Sequence, residues 1–368
     1  MKQNFKPLQE LCEIIMGQSP SSDSYNSNGE GLPFFQGKSE FGEVYPHVVK
    51  WCSSPKKIAQ YGDILISVRA PVGPTNLARE NCCIGRGLAA IRPISSKIDR
   101  DFLWLQLQYL ESYLEEQGQG STFEAIGATE LKVLQIYAPD ILRQKQIANH
   151  LQIQLEEVDK AYKSLEIQKL EIQNLANALI YNSIHRSKTK KYKLIDVLTE
   201  IKKGIGETWK NSLVLGATRN GLALAKEPPG KNPQRYKPVL SGTVFYNPMR
   251  ILIGSIAFVD EDDMTGITSP DYVVLQGKKG LLDSRWFYYW LRSPLGEKCI
   301  LSLARGSVRE RMLFNRLAEG EIDLPEFPNQ IIASESLKVL KNIKLNIEKE
   351  MENLNVIPNK LLAVELKL

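Results

Sequence analysis

Three short motifs return at one offset of 186 residues, which obliges the chain to build much of its fold twice. Pro139-Asp140 followed by Gln144 returns as Pro325-Glu326 followed by Gln330, Gly120-Ser121 returns as Gly306-Ser307, and Leu8 with Leu11 return as Leu194 with Val197. Between these anchors the match drifts. Gly62, opening Gly62-Asp63-Ile64-Leu65-Ile66-Ser67, faces Gly242, opening Gly242-Thr243-Val244-Phe245-Tyr246-Asn247, and Arg69 and Gly73 face Arg250 and Gly254. A period this long exceeds any solenoid unit and suits two whole domains. A protein carrying two versions of one module touches two versions of one thing.

Length and composition agree with that division. A chain of 368 residues holds two or three domains, and a hydrophobic fraction of 43% lets each half build a core. Lysine and arginine number 47 against 42 acidic residues, a net charge of +5 that permits nucleic-acid binding without demanding it. The cysteines, Cys12, Cys52, Cys82, Cys83 and Cys299, are odd in number and show no Cys-x-x-Cys spacing. That argues against a disulfide framework or a zinc site and for a reducing cytoplasm. The opening Met1-Lys2-Gln3-Asn4-Phe5-Lys6 lacks the apolar core of a signal peptide. No run of about 18 apolar residues is present, so no membrane association is expected.

The stretch from Leu8 to Pro139 reads as mixed α and β. Ile64 to Val68 is a strand bracketed by Gly62-Asp63 and Ala70-Pro71, Phe102 to Leu114 has helical spacing, and Gln18 to Gly42 reads as surface loops with short strands. After Pro139 the pattern changes. Ala148, Leu151, Leu155, Val158, Tyr162, Leu165, Ile172, Ala176 and Leu179 follow alternating steps of three and four, interrupted only by Lys169. Glycine and proline are absent from Ile141 to Ser187. This is a coiled-coil seam on a helix of about 40 residues, about 60 Å long. Ala333, Leu337, Leu340, Ile347, Met351 and Leu354 repeat it, interrupted by Lys344, and Pro358 is expected to stop or kink this second helix. Replacing both seam lysines by leucine is expected to stabilise the pair. The basic run Ser187-Lys188-Thr189-Lys190-Lys191 reads as a solvated linker. The expected fold is therefore mixed α+β. Two similar globular domains, 1–140 and 188–328, are separated by an antiparallel coiled coil of two long helices, 141–187 and 329–368, with pseudo-twofold order. Antiparallel pairing would set the domains at opposite ends of a rod.

A convincing catalytic constellation is lacking. Gly31 to Ser39 ends in Gly37-Lys38-Ser39, but five residues separate its glycines where a phosphate loop needs four. Glu200-Ile201-Lys202 has no partnered aspartate on a neighbouring strand, and Asn247-Pro248 is followed by Met249-Arg250 instead of the proline and aromatic of an amino-methyltransferase. His47, His150 and His185 sit in unrelated contexts. What remains is polar, basic and aromatic residues in loops. Arginine and glutamine in turns suit base edges, and lysines beside them suit phosphates. The candidates for DNA contact are Gln18, Ser19, Gln36, Lys38, Arg69, Arg86 and Thr122 in the first half. In the second they are Lys203, Arg219, Arg250, Arg305, Ser307, Arg309 and Arg311, with Tyr25, Arg79, Lys202 and Lys210 as further loop residues of the same kind. The run Arg305 to Arg311 joins a flexible turn, a hydroxyl and three guanidiniums. On residues alone, a coiled-coil adaptor without base readout and an enzyme acting on nucleic acid both stay open.

With these features the chain resembles the DNA-specificity subunits of type I restriction–modification systems. The residues carrying the resemblance are Gly62 to Ser67 with Arg69, Gly120 to Phe123 with Ile126, and the Pro139 to Ile147 start of the long helix. In the second half they are Gly254 to Ala257 and Pro325 to Ile331, which brings nearly the whole chain into the likeness. The second half departs from the pattern: it lacks a Gly-Asp-Ile-Leu strand, and Val308-Arg309 stands where the first half has Thr122-Phe123. The resemblance implies two target-recognition domains, each reading one half of a split target in double-stranded DNA. It implies helices that set the spacer and dock modification (methyltransferase) subunits, with a restriction (endonuclease) subunit joining. It further implies a non-catalytic chain without cofactors of its own, S-adenosylmethionine, ATP and magnesium belonging to the partners.

Overall fold

The structure, a computed structural model, describes residues 4–119, 125–304 and 311–366. Its contacts divide the chain into one unit of Met1–Lys163 with Met351–Leu368 and another of Ser164–Glu350.

The first unit opens with β1 (Phe5–Pro7) and β2 (Cys12–Met16), followed by β3 (Leu32–Phe35), β4 (Ile64–Ser67), β5 (Thr75–Leu77), β6 (Cys82–Ile84) and β7 (Leu88–Pro93). The central sheet runs β2-β7-β4-β5, antiparallel throughout. Strand β4 is buried at every position, with Ile64, Leu65 and Ile66 apolar, because both faces are covered. Ile64 and Ile66 pack beneath helix α1 (Arg100–Tyr109), while Leu65 points the other way among Phe35, Ile84 and Leu88. Asp99 caps α1 by accepting from the amides of Asp101 and Phe102 at 3.1 and 3.0 Å. The helix expected over Phe102 to Leu114 is broken at Leu110, whose backbone leaves the helical region, and resumes as Glu111–Gln119. Both Leu107 and Leu114 still reach the core. A second sheet places β3 parallel to β6, with Phe34 facing Cys83 and Phe35 facing Ile84. The strand β8 (Gln135–Tyr137) closes on β1 and leads into α2 (Ile141–His185).

The second unit repeats this plan. β9 (Thr189–Lys193) is followed by β10 (Leu198–Glu200), β11 (Leu213–Thr218), β12 (Val244–Tyr246), β13 (Ile256–Phe258), β14 (Gly266–Thr268) and β15 (Val273–Gly277). The central order is β10-β15-β12-β13, and β11 lies parallel to β14. Helix α3 (Ser284–Arg292), capped by Asp283, buries Trp286, Phe287 and Trp290 on the sheet. Then β16 (Glu321–Pro325) pairs with β9 and leads into α4 (Phe327–Leu366). The run Ser187 to Lys191, read as a solvated linker, is thus largely strand: Thr189 faces Pro325 and Lys191 faces Asp323. Its lysines point to solvent, which hid the strand in a run without alternation.

The repeat is physical as well as textual. Gly62 and Gly242 both take left-handed backbone angles, φ +86° and +82°, that a side chain would strain. Their amides donate to Ala78 at 2.9 Å and Val259 at 2.8 Å, so a strand follows Gly242 although the Asp-Ile-Leu text is missing. The anchor glutamines are buried hubs. Gln144 Oε1 accepts from the Asp99 amide at 2.7 Å, and its Nε2 donates to the carbonyls of Lys97 and Pro139 at 3.1 and 2.7 Å. Gln330 repeats each bond, accepting from Asp283 at 2.9 Å and donating to Leu281 and Pro325 at 3.0 and 2.8 Å. Each hub ties the start of a long helix to the cap of the helix that covers the sheet. The Gly120-Ser121 and Gly306-Ser307 anchors lie outside the described residues.

Within each unit the long helices run antiparallel. In the first, Ile147, Ala148 and Leu151 of α2 share a core with Leu362 and Leu366 of α4. In the second, Ala176, Ile180 and Ile184 of α2 share one with Ala333, Leu337 and Leu340 of α4. Pro358 does not end α4, which continues to Leu366. A mid-helix proline costs about 3 kcal/mol, whereas each buried leucine returns roughly 1.5–3 kcal/mol, and Leu362 and Leu366 are both buried. The two seam lysines converge on one carboxylate: Lys169 Nζ lies 2.8 Å and Lys344 Nζ 3.8 Å from Glu348 Oε1. Replacing both would strand Glu348, so the expectation that the double leucine variant stabilises the pair is corrected.

Candidate nucleic-acid interface

In the first unit three chain segments leave the sheets at one place. The end of β3 supplies Gln36 and Lys38, the end of β4 supplies Ser67 and Arg69, and the β6–β7 turn supplies Arg86. Backbone bonds stitch the segments together: Gly85 donates to Phe35 at 2.8 Å and Val68 donates to Gly87 at 2.9 Å. The approach is close enough that a Cβ at Gly87 would fall 2.3 Å from the Gln36 carbonyl oxygen, so glycine is required. The result is a shallow cleft of about 220 Å³ lined by Gln36, Lys38, Ser67, Arg69 and Arg86. Gln18 and Ser19 join its rim, because the Gln18 amide donates to Ile84 at 3.0 Å and Ser19 Oγ accepts from the Arg86 amide at 3.3 Å.

The cleft is cationic. Glu40, its nearest acid in sequence, is spent on the Gln36 and Gly37 amides at 3.3 and 3.0 Å. Burial raises the Glu111 carboxyl above its ordinary range, and the Lys38 charge lowers it less. Lys38, Arg69 and Arg86 remain exposed. Six of the seven first-half candidates therefore gather on one face, and Thr122 lies outside the described residues. Tyr25 and Arg79 do other work: Tyr25 stacks on Phe34 at 4.7 Å and donates to Pro20, and Arg79 sits over the Tyr45 ring at 5.9 Å.

The second unit does not gather its candidates in this way. Lys203 follows β10, Lys202 pairs with Glu200 at 3.2 Å, and Arg311 pairs with Asp271 at 3.1 Å. Arg219 Nε donates to the Ile253 carbonyl at 3.1 Å, and Arg250 precedes the 3-10 turn Ile251–Ile253. Arg305, Ser307 and Arg309 lie outside the described residues. The ladders also refine the repeat: Ile66 faces Thr75 and Tyr246 faces Ile256, so the β12–β13 turn corresponds to the turn carrying Arg69 and is one residue longer. Sequence reading missed what this turn displays, namely Met249, Leu252 and Ile253, exposed by 59%, 37% and 53%. An apolar run beside a glycine reads as core, so its exposure had no textual signal.

Deeper in the second unit, Asp260 is gripped by Arg285, whose Nε and Nη2 lie 3.2 and 2.5 Å from its two oxygens. Burial pushes the Asp260 carboxyl up, but these bonds and the Lys341 charge outweigh it and hold the group below its ordinary value. Arg285 also reaches Ser334 and Glu335, so the network fastens α3 to α4. Burial pushes the Cys12, Cys82 and Cys83 thiols up to about 12, which removes them as nucleophiles near neutrality. Among the described residues no group of three or more His, Cys, Asp or Glu is placed to hold a metal ion. Among them, too, no helix is long and apolar enough to cross a membrane.

Comparison with known proteins places this architecture. Residues 2–172 match the sequence model of the type I restriction modification DNA specificity domain. A putative type I restriction enzyme MjaX specificity subunit from Methanocaldococcus jannaschii is 47% identical over 143 residues, 39% of this chain and 34% of that protein. The MjaIX specificity subunit of the same organism is 25% identical over 158 residues, 40% of this chain and 36% of its own length. The chain thus spans about a third of the curated relatives it matches. Among solved structures, the HsdS subunit from Thermoanaerobacter tengcongensis is 44% identical over 45% of this chain and 40% of that one, with a TM-score of 0.40. The type I S subunit from M. genitalium is 16% identical but covers 98% of this chain and 95% of its own, with a TM-score of 0.52, and so shares the fold. Residues 2–172 thus match a type I restriction–modification DNA-specificity domain, and over that stretch the chain is similar to type I specificity subunits.

Proposed function

We propose that this chain does the sequence reading for a type I restriction–modification assembly. Each unit reads one half of a bipartite duplex target. The chain crosses between the units once within α2 and once within α4, and these helices set the interval between half-sites. The observation that carries the reading is one scaffold built twice, with an exposed glutamine, lysine and two arginines converging on one cleft of the first copy. Such a set can hold phosphates and reach base edges together. One unit alone discriminates weakly, since a mismatch is worth about 1–3 kcal/mol, and two linked units add their selectivity.

The partners in this reading are double-stranded DNA, modification subunits and a restriction subunit. Outward apolar residues on the helices, such as Ile153, Ile167 and Leu170 of α2 and Ile332, Val339 and Val356 of α4, supply docking faces. The chain itself is non-catalytic and cytoplasmic, and S-adenosylmethionine, ATP and magnesium belong to the partner subunits. The test is to map the methylated motif in the source genome and then measure binding to that target with its spacer lengthened by about two base pairs. Affinity should fall to that of unrelated DNA. Binding indifferent to spacer length would refute the reading.

A further inference from the structure

We infer that the β12–β13 turn of the second unit reads thymine methyl groups, an inference resting on the proposed function above. The corresponding turn of the first unit presents Arg69 to the cationic cleft. In the second unit the same place on the scaffold presents Met249, Leu252 and Ile253, all exposed. Leu252 borders the hollows on both sides of the turn, so the three form one continuous apolar ridge.

The ridge is held rigidly outward. Ile251 is buried beneath it, and Gly254 turns the chain at φ +81°. Met249 donates to Asn247 Oδ1 at 2.9 Å, and Arg292 Nη1 donates to the Gly254 and Ile256 carbonyls at 3.1 and 2.9 Å. A protein that locks apolar side chains into water, on a scaffold position used for contact in its sister unit, is displaying them to a ligand. Charge selects that ligand. Arg219, braced against the Ile253 carbonyl, and Arg250 flank the ridge and are exposed, with Glu297 the carboxylate lining the adjoining hollow. Cations beside an apolar ridge match phosphates beside a major groove, where the only apolar group among the base edges is the thymine C5 methyl. The second half-site must therefore contain thymine, and the two units read different chemistry with one scaffold.

The test uses the full chain and a duplex carrying its mapped target, with deoxyuridine replacing thymine in each half-site in turn. One half-site should lose about fourfold in affinity per methyl removed, the weight of one buried carbon. Leu252→Ser and Ile253→Ser should bind the thymine duplex more weakly and no longer distinguish it from the uracil duplex. Specific binding that ignores uracil in both half-sites would overturn the inference while leaving the proposed function standing, as would a target with no thymine in either half or a methyl preference unchanged in both variants. Absence of any sequence preference would overturn the two together, a result distinguishable from the others in the same titration.

Discussion

Replacing Gln144 by leucine should unpick the first unit at its helix junction. Leucine nearly conserves the volume, so the effect isolates the three hydrogen bonds. The Asp99 amide, which begins the capped turn of α1, loses its acceptor at 2.7 Å. The carbonyls of Lys97 and Pro139 lose their donor at 3.1 and 2.7 Å. Each broken bond to a part-buried group is worth up to about 1–3 kcal/mol, and the three together about 3–5 kcal/mol once local relaxation is allowed. Gln144→Glu should be at least as damaging, since it keeps the acceptor but turns a carboxylate toward two carbonyl oxygens. Hydrogen exchange followed by mass spectrometry reads the result by segment. Amides of α1 should exchange about two to four orders of magnitude faster in Gln144→Leu, while those of α3 respond instead to Gln330→Leu. A loss below about 1 kcal/mol in both variants would refute the hub reading, because buried groups without partners cannot be that inexpensive.

Two other perturbations address the helices and the cleft. Lys344→Leu alone should stabilise the second unit by roughly 1 kcal/mol, the low end for replacing a buried charge, because Lys169 still serves Glu348. Adding Lys169→Leu should reverse the gain, and urea unfolding compares the two. Burial depresses the Lys344 ammonium in the folded state, so its penalty is full at neutral pH and fades as pH rises through the depressed value. The advantage of Lys344→Leu should therefore shrink toward alkaline pH, and a gain that grew there would contradict the assignment. Lys38→Gln with Arg86→Gln should lower the slope of log affinity against log salt by about 2. An unchanged slope in DNA titrations would remove these residues from the phosphate contacts.

What could be read in the text follows from what each residue must do. Gln144 and Gln330 stand out because one side chain satisfies three fixed backbone groups, so residue type and spacing are both constrained. The repeat drifts between its anchors because turns absorb insertions, as the longer β12–β13 turn shows. The seams were legible because a three-four step has few other uses, and even their interruptions met a shared carboxylate. Thr189 to Lys193 escaped because a two-stranded ladder with mostly exposed side chains imposes no alternation. Pro358 misled because a local penalty was weighed without the leucines packed beyond it. In the first unit, glycines that permit close backbone approach drew scattered loop residues into one cleft, which no linear spacing announces.

The place of Leu362 and Leu366 in the core that also holds Leu8 and Ile64 carries a consequence for biosynthesis. A ribosome delivers the amino-terminal sheet long before the residues that complete its packing. Until Leu362 and Leu366 emerge, that early portion carries an open apolar seam, and a frameshift ahead of them would injure the part of the protein translated first.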